Sequence, residues 1–220
     1  AGDARECPLC GSKLRLFLPC GSPPRPDARC PVCGSLERHR MLWTMFASEV
    51  HLLDGGATRL LHIAPERVLE NKFRRMRSLD YLTGDLNNPR AMVQVDITRI
   101  QFPDSSFDAI CCSHVLEHVA DDLTAMREFH RILRTGGWAA ILVPMTVQQT
   151  LEDPTVTTRE QRIAVYGHPD HVRRYGPDCA ERLRKAGFRV KAVTSSDLVP
   201  PSQATRLGLR DDEVIHLCRK

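Results

Sequence analysis

The sequence has no long apolar segment. Its longest apolar run, Trp138 to Met145, is far shorter than the roughly 20 residues that a membrane-spanning helix needs. The first residues are charged and rich in cysteine, unlike the apolar core of an export signal. We therefore expect a soluble, unexported, cytoplasmic protein with no membrane partner. With 220 residues, 42% of them hydrophobic, the chain can bury one substantial core and carry a small appendage.

The sequence also has little net charge. Lys and Arg number 31 and Asp and Glu number 27, which leaves a net charge of +4. Nucleic-acid-binding domains commonly carry a strong basic excess, so charge does not identify such a partner here. A nucleic-acid partner stays open but is not favoured, and the oligomeric state is not indicated.

Nine cysteines are present, and four of the first five form two Cys-x-x-Cys pairs. The sequence Cys-Pro-x-Cys-Gly-Ser occurs at 7–12 and again at 30–35. Each pair can direct two sulfurs at one point, and two pairs complete a tetrahedral site. We predict a module spanning residues 1–36 in which structural Zn²⁺ is bound by Cys7, Cys10, Cys30 and Cys33.

A redox dithiol and a pair of disulfides are the competing interpretations of these cysteines. A thioredoxin-like dithiol lies between a strand and a helix, and neither pair does. Cys20 has no partner at this spacing and is expected to be a free thiol. Because four thiolates around Zn²⁺ contribute a charge of −2, the module is close to neutral. We expect it to stabilise the protein or to act as a lid over a substrate rather than to bind nucleic acid.

Residues 37–220 alternate short apolar runs with amphipathic stretches. Such alternation predicts an α/β domain with a parallel sheet and helices on both faces. Predicted strands cover 59–63, 79–83, 92–95, 107–112, 138–143, 188–194 and 214–218, and predicted helices cover 36–50, 66–76, 121–134 and 177–186.

Polar side chains follow three of these strands. Asp85 follows the second, Asp96 ends the third, and the fourth runs into His114. Ligands of such sheets lie beyond the carboxyl ends of the strands, where Asp85 can accept hydrogen bonds from a ribose diol and Asp96 from an adenine amino group. An aspartate at a strand end also often caps the next turn, and that interpretation stays open for each. Their occurrence in order along the chain is what favours a ligand site.

Three longer motifs resemble the class I, seven-stranded S-adenosylmethionine-dependent methyltransferases, in the subgroup that methylates small molecules. They are Asp-Ile-Thr at 96–98 leading to Phe-Pro-Asp-Ser-Ser-Phe-Asp at 102–108, Ser-His-Val-Leu-Glu-His at 113–118, and Arg-Ile-Leu-Arg-Thr-Gly-Gly-Trp at 131–138. The resemblance covers about residues 36–220. It implies a mostly parallel, doubly wound, seven-stranded α/β sheet with a final antiparallel strand, and S-adenosylmethionine as cofactor.

The resemblance also implies a donor site at the strand ends. Asp85 would bind the ribose and Asp96 would lie near the adenine, with Ile97 packing on its ring. The donor-site residues implied at the second, third and fourth strand ends are Asp85, Leu86, Asp96, Ile97, Ser113 and His114.

The turn after the first strand departs from the family pattern. The family usually has an acidic residue followed by Gly-x-Gly, whereas Leu-His-Ile-Ala-Pro-Glu stands at 61–66. Ala64 is small enough for close approach by the methionine moiety, and by alignment Glu66 or His62 would hydrogen-bond the donor's amino group. The missing glycines leave open a non-catalytic relative with this fold.

Methyl transfer to a weak nucleophile needs a base, and imidazole titrates near neutrality. His114 follows the fourth strand, where donor and acceptor should meet, so it is a candidate base; it can equally cap a helix or bind the donor. Glu117 and His118 are expected to belong to the next helix.

Residues 144–176 form a long stretch with weak periodicity, which we predict to be an acceptor-side insertion. His168 and His171 near its end are candidate bases, and Arg173 and Tyr175 are candidate substrate contacts. A second metal site there lacks an evident additional ligand.

We expect an enzyme that methylates a hydroxyl, or as second choice an amine, of a small molecule or sugar-containing metabolite. An RNA methyltransferase is the first alternative, although residues 112–115 lack the Asn/Asp-Pro-Pro-aromatic turn used on exocyclic base amines. A non-catalytic binding protein on a methyltransferase fold is the second.

Overall fold

The computed structural model describes residues 2–220. The chain divides into two compact units. The first holds the residues up to Ala57 together with Glu66–Asp80 and Val193–Val214. The second holds Thr58–Pro65, Tyr81–Ala192 and Ile215–Lys220. The first unit contains the predicted cysteine module together with later segments of the chain, and the domain boundary at residue 36 stays a prediction.

The strands are β1 (Arg5–Glu6), β2 (Lys13–Leu14), β3 (Leu18–Cys20), β4 (Arg25–Arg29), β5 (Thr58–Ile63), β6 (Leu79–Asp85), β7 (Val93–Gln94), β8 (Phe107–Ser113), β9 (Leu133–Leu142), β10 (Arg189–Val193) and β11 (Ile215–Arg219). The α-helices are α1 (Glu37–Ser48), α2 (Arg67–Phe73), α3 (Asp122–Ile132), α4 (Arg159–Tyr166), α5 (Cys179–Lys185), α6 (Ser195–Leu198) and α7 (Pro201–Leu207). Short 3-10 helices lie at Leu52–Asp54 and Leu116–His118.

Arg40, in α1, is a central residue of the first unit. Its side chain is fully buried, and the guanidinium donates hydrogen bonds to the carbonyl oxygens of Ala28 (2.9 Å), Ser35 (3.0 Å) and Leu207 (2.8 Å). It also lies 3.9 Å from the ring centre of Phe17. A buried guanidinium is tolerated only when its donors have partners. Arg40 therefore ties the cysteine segment to α7, which follows it by more than 150 residues.

A seven-stranded sheet has the strand order β10-β11-β9-β8-β5-β6-β7. β5 pairs parallel with β8, β8 with β9, and β6 with β7, whereas β11 runs antiparallel to β9. This confirms the predicted α/β class and the mostly parallel seven-stranded sheet. The chain passes from β5 through β6 to β7 and then returns to β8 on the other side of β5. Strand order thus reverses beside β5, where ligands of doubly wound sheets bind.

The segment 144–176 contains a helix that its weak periodicity did not predict. α4 is only eight residues long, and the side chain of Thr158 accepts a hydrogen bond from the amide of Gln161 while Gln161 caps the amide of Thr158. A reciprocal capping box stabilises a short helix without a long apolar stripe. Several predicted elements are shorter in the structure; among them, α2 ends at Phe73, α3 at Ile132, and β7 has only two residues.

Candidate functional site

A cavity of about 800 Å³ lies at the carboxyl ends of β5, β6 and β7 in the second unit. Carboxylates stand beside apolar side chains in its wall, a mixture typical of small-molecule pockets. We call it the strand-end cavity. Its lining residues are Ile63, Ala64, Asp85, Leu86, Asn87, Val95, Asp96, Ile97, Thr98, Val115, His118, Val119, Ala120, Asp121, Thr124 and Asp170.

Asp85 and Asp96 each use one oxygen to close the turn that follows. Oδ1 of Asp85 accepts the amides of Asn87 and Asn88, both at 2.8 Å. Oδ1 of Asp96 accepts the amide (2.8 Å) and hydroxyl (2.7 Å) of Thr98, and these bonds lower the pKa of Asp96. Among residues 2–220 no side chain or amide bonds Oδ2 of either carboxylate. The turn-capping interpretation and the ligand interpretation therefore apply together, because each carboxylate retains one oxygen for a ligand.

Two residues at the ends of adjacent strands have left-handed backbones. Ala64 follows β5 with φ of 46°, and His114 follows β8 with φ of 55°. The amide of Ala64 donates to the carbonyl of Gly84 (2.8 Å) and that of His114 to the carbonyl of Leu142 (2.9 Å). Non-glycine residues adopt this conformation at a cost and concentrate it at functional sites.

His114 pairs with a buried carboxylate rather than lining the cavity. Its Nδ1 lies 3.3 Å from Oε1 of Glu117, whose side chain is 1% exposed. Nε2 of His114 and Oε2 of Glu117 are buried and have no hydrogen-bond partner in the described part of the chain. A neighbouring carboxylate orients an imidazole. The pair has the composition of a proton-handling site, but it does not line the cavity.

Three histidines meet at the edge of the strand-end cavity. The ring centre of His118 lies 4.7 Å from that of His171 and 5.7 Å from that of His168, and the latter two are 4.5 Å apart. Their ligating nitrogens lie within 4.8 Å of one another. Burial and the neighbouring His118 hold the pKa of His171 below its ordinary value. We call these three residues the histidine cluster.

A buried arginine holds the two segments of the cluster together. The guanidinium of Arg173, 3% exposed, donates to the carbonyl oxygens of Leu116 (2.9 Å), Val119 and Ala120 (2.8 Å). The amide of Val172 also donates to the carbonyl of Glu117 at 2.9 Å. The backbone on both sides of His118 is thereby fixed against the segment that carries His171.

The structure gives Arg173 and Tyr175 a place that differs from the sequence expectation. Both were predicted to contact substrate, but Tyr175 is fully buried and its hydroxyl donates to Oδ2 of Asp122 at 2.6 Å. The donors of Arg173 are occupied by backbone carbonyls and by Glu152 (3.0 Å). Neither side chain lines the cavity, so neither is in position to touch a ligand there. Both brace the fold beneath the site.

The predicted donor-site residues separate into two groups. Ala64, Asp85, Leu86, Asp96 and Ile97 line the strand-end cavity. Residues 62, 66, 113 and 114 do not.

The residues outside the lining have other surroundings. His62 is fully buried in β5, with Nδ1 2.8 Å from the Tyr81 hydroxyl, and Ser113 is buried at the end of β8. Glu66 belongs to the first unit, where its carboxylate pairs with Arg38 (2.6 Å) and His39 (2.7 Å). Direct donor contact by His62 and Glu66 therefore has no geometric support.

Sequence reasoning missed His118 as a site residue. It was assigned to the following helix, whereas it lies in a 3-10 turn that ends before α3 begins. Its spacing of four residues from His114 was the one available signal. Asp121, Thr124 and Asp170 also line the cavity without having been predicted, because loop residues bear no periodic pattern.

The four predicted zinc ligands converge in the first unit. Sγ of Cys7 lies 3.6 Å from that of Cys33, and Sγ of Cys10 lies 3.8 Å from that of Cys30. Tetrahedral Zn²⁺ with Zn–S bonds of about 2.3 Å separates its sulfurs by about 3.8 Å. The four thiols therefore fit the ion, and Gly11 (φ 71°) after the first pair has the left-handed turn that the motif needs.

No helix of residues 2–220 is both long enough and apolar enough to cross a bilayer.

Comparison with known proteins gives more specific information about function. Residues 56–141 match the model of a family described as a methyltransferase domain. The match begins just before β5 and ends within β9, so it contains both aspartates of the strand-end cavity.

Among curated proteins, the demethylmenaquinone methyltransferase of Streptomyces avermitilis is 32% identical over 126 residues, which cover 48% of this chain and 52% of that protein. The chain thus spans about half the length of this relative.

Solved structures share the fold. The 1,6-didemethyltoxoflavin-N1-methyltransferase of Burkholderia thailandensis, solved with S-adenosylhomocysteine, has a TM-score of 0.55 at 17% identity and covers 83% of this chain and 82% of its own. The [4+2]-cyclase SpnF has a TM-score of 0.55 at 16% identity, with coverage of 84% and 82%. At such identities these likenesses show the fold alone. They support the class I methyltransferase fold predicted from the sequence.

Proposed function

We propose that this chain is an S-adenosylmethionine-dependent methyltransferase acting on a hydroxyl oxygen of a small molecule or sugar-containing metabolite. The observation that carries the proposal is the strand-end cavity, with Asp85 and Asp96 in its wall, inside a segment that matches a methyltransferase domain. An amine is the second choice of acceptor.

The residues of the cavity fit the donor. Asp85 would accept hydrogen bonds from the ribose diol through its remaining oxygen, and Asp96 would accept from the adenine amino group. Ile97 and Val115 supply apolar surface for a flat ring, and Ala64 leaves room for the methionine moiety. When bound, the donor supplies a methyl group on a sulfonium centre, so the chain's own tasks are to orient the acceptor and to help remove its proton.

The acceptor side is the edge of the cavity where the histidine cluster lies. A hydroxyl attacks well only after losing its proton, and the imidazoles beside the cavity can promote that loss. His168 and His171 were both predicted from the sequence as candidates for this role, and His118 joins them. His114, which pairs with Glu117, stays a candidate base, although it does not line the cavity.

We also propose that the four cysteines bind one structural Zn²⁺. The sulfur separations of 3.6 and 3.8 Å support this proposal. A cytoplasmic location stays a prediction, as does the absence of a membrane partner. The near-neutral charge of the chain gives no support to the alternative of an RNA acceptor.

The relative from Streptomyces avermitilis suggests another acceptor, since it is a demethylmenaquinone methyltransferase. A ring carbon beside a phenolic oxygen would then be methylated, and loss of the phenolic proton would still be required. Product analysis with a quinol and with simple phenols distinguishes carbon from oxygen methylation.

Calorimetric titration with S-adenosylmethionine and S-adenosylhomocysteine tests the core of the proposal. Asp85→Ala removes hydrogen bonds to a charged group worth about 1.5–3 kcal/mol, so we expect affinity to fall about 10- to 150-fold. Asp153→Ala is the matched control, because Asp153 closes an equivalent turn onto Thr155 outside the cavity. No binding at millimolar donor would favour the non-catalytic alternative and overturn the proposal.

A further inference from the structure

The histidine cluster has the composition of a metal site that neither the fold nor the family match assigns. Sequence reasoning found two histidines, His168 and His171, with no additional ligand nearby in the chain. The structure supplies the third ligand: His118 comes from a segment about 50 residues earlier.

The spacing of the three rings agrees with shared coordination. With Zn–N bonds of about 2.05 Å, each ring centre lies about 3.2 Å from the ion, which puts ring centres about 5.2 Å apart at tetrahedral angles. The observed separations are 4.5, 4.7 and 5.7 Å. Changes of less than 1 Å in these centre-to-centre distances would match the expected spacing.

The hydrogen bonds of the cluster orient His118 for metal binding, whereas His168 must give up a hydrogen bond to bind an ion. Nδ1 of His118 donates to the carbonyl oxygen of Asp170 at 3.2 Å, which leaves the lone pair on Nε2. A carbonyl that fixes the far nitrogen in this way is a recurring feature of metal-bound histidine. Nδ1 of His168 accepts a 3.2 Å bond from the amide of Asp170, so ligation by His168 requires that long bond to be exchanged for the metal.

The backbone beneath the cluster is already fixed. Arg173 holds the carbonyls at 116, 119 and 120, and Val172 bonds Glu117, so binding an ion would order three side chains rather than a loop. Preorganisation of this kind reduces the entropy cost of binding. The nearest carboxylate in sequence, that of Asp170, pairs with Arg159 at 3.1 Å. The donor set is therefore three nitrogens, which suits Zn²⁺ and similar ions rather than Mg²⁺ or Ca²⁺.

We propose that His118, His168 and His171 bind one divalent transition-metal ion of the zinc class, with a coordination position left open at the edge of the strand-end cavity. Three protein ligands with an open position are typical of reactive rather than structural zinc sites. His118 both belongs to the cluster and lines the cavity, so the open position would adjoin the space for the acceptor.

The open position would take an oxygen of the acceptor, a role that rests on the proposed function and in which the three imidazoles act as ligands of the ion instead of as the base. An alcohol or phenol coordinated to a divalent ion loses its proton to water near neutral pH, and the resulting oxygen anion is a stronger nucleophile for the methyl group. The oxygen–carbon bond forms as the sulfur–carbon bond of the donor breaks, S-adenosylhomocysteine leaves, and the ion keeps its oxidation state. This favours acceptors with an acidic hydroxyl, such as phenols.

Co²⁺ titration of the full chain, with its cysteine site already filled by zinc, tests the metal site without donor or acceptor. We expect one further equivalent of Co²⁺ to bind, with visible bands that lack the strong sulfur-to-cobalt absorption of a cysteine site. The double variant His168→Ala, His171→Ala should weaken this binding about 100-fold or more, because two of three ligands are lost. His51→Ala is the matched control, since His51 is exposed and lies outside the cluster.

Thermal unfolding of the metal-free variants checks that they fold as the parent does. Adding acetohydroxamate to the Co²⁺ form should alter its bands if a coordination position is open. No second equivalent in the parent, or undiminished binding in the double variant, would overturn the metal site; unchanged bands would overturn the open position. Since neither readout uses S-adenosylmethionine, a failure of the proposed function would be recognised separately.

Discussion

Replacing Arg173 by alanine gives the sharpest test of how the site is held. The guanidinium is 3% exposed and bonds three backbone carbonyls and Glu152. Alanine would leave those acceptors without their donor at the point where the segment 116–120 meets the segment 171–173. We therefore expect a loss of stability that is large for a residue with no ligand contact.

The magnitude follows from the contacts. A buried acceptor left without a donor costs about 1–3 kcal/mol, and breaking a buried charged pair costs about 3–5 kcal/mol. Counting one unsatisfied acceptor and the broken pair gives a range of about 4–8 kcal/mol, and because the carbonyls of Val119 and Ala120 are only partly buried we take its lower end, about 4 kcal/mol. For a chain of this size that corresponds to a fall in Tm of about 8–16 °C. Arg173→Lys keeps the positive charge but loses the forked set of donors, so its Tm should lie between those of the parent and of Arg173→Ala.

Urea unfolding followed by circular dichroism measures this loss. Arg174→Ala is the matched control. The side chain of Arg174 bonds Thr146 in an exposed position, so its removal should lower the free energy of unfolding by about 0–1 kcal/mol. If the two alanine variants unfold at the same urea concentration, Arg173 does not hold the segments together and the argument from burial is wrong.

Two further predictions concern the first unit. Cys30→Ser should release one equivalent of zinc, measured by metal analysis, while Cys20→Ser should retain it; equal zinc content would refute the four-cysteine site. Burial raises the pKa of Glu66, but His39 and Arg38 outweigh it and lower the pKa to about 2. A lowered carboxyl pKa gives stability that is complete above pH about 5 and lost as pH falls toward 2, amounting to about 3 kcal/mol. The stability gap between the parent and Glu66→Gln should close over that window, and a constant gap would contradict the ion pair.

The fold was predictable because its signals are local and repeated. β8 is an apolar run bounded by turns, and α3 carries its buried residues at helical spacing after an Asp121 cap. Asp85 and Asp96 were found for a related reason: the ends of parallel strands share one edge of the sheet, so a residue's position in its strand nearly fixes its position in the molecule.

The histidine cluster was not predictable in the same way. His118 and His171 meet because Arg173 bonds carbonyls more than 50 residues away, and bonds to backbone oxygens place no requirement on the sequence of the partner segment. The same arginine misled the sequence analysis. An arginine beside histidines in a loop is typical of an anion site, and only its burial identifies it as a brace.

The missing glycines after β5 were the main reason to consider a non-catalytic protein. In that family pattern a glycine supplies a left-handed backbone and a close approach to the ligand. Ala64 has that backbone, with φ of 46°, and its methyl group is the smallest side chain that can replace hydrogen. The conformation costs an alanine about 1–2 kcal/mol, which the surrounding sheet must offset, in part through the bond from its amide to the carbonyl of Gly84. The turn that the glycines would make is therefore present, and the objection based on their absence loses its physical basis.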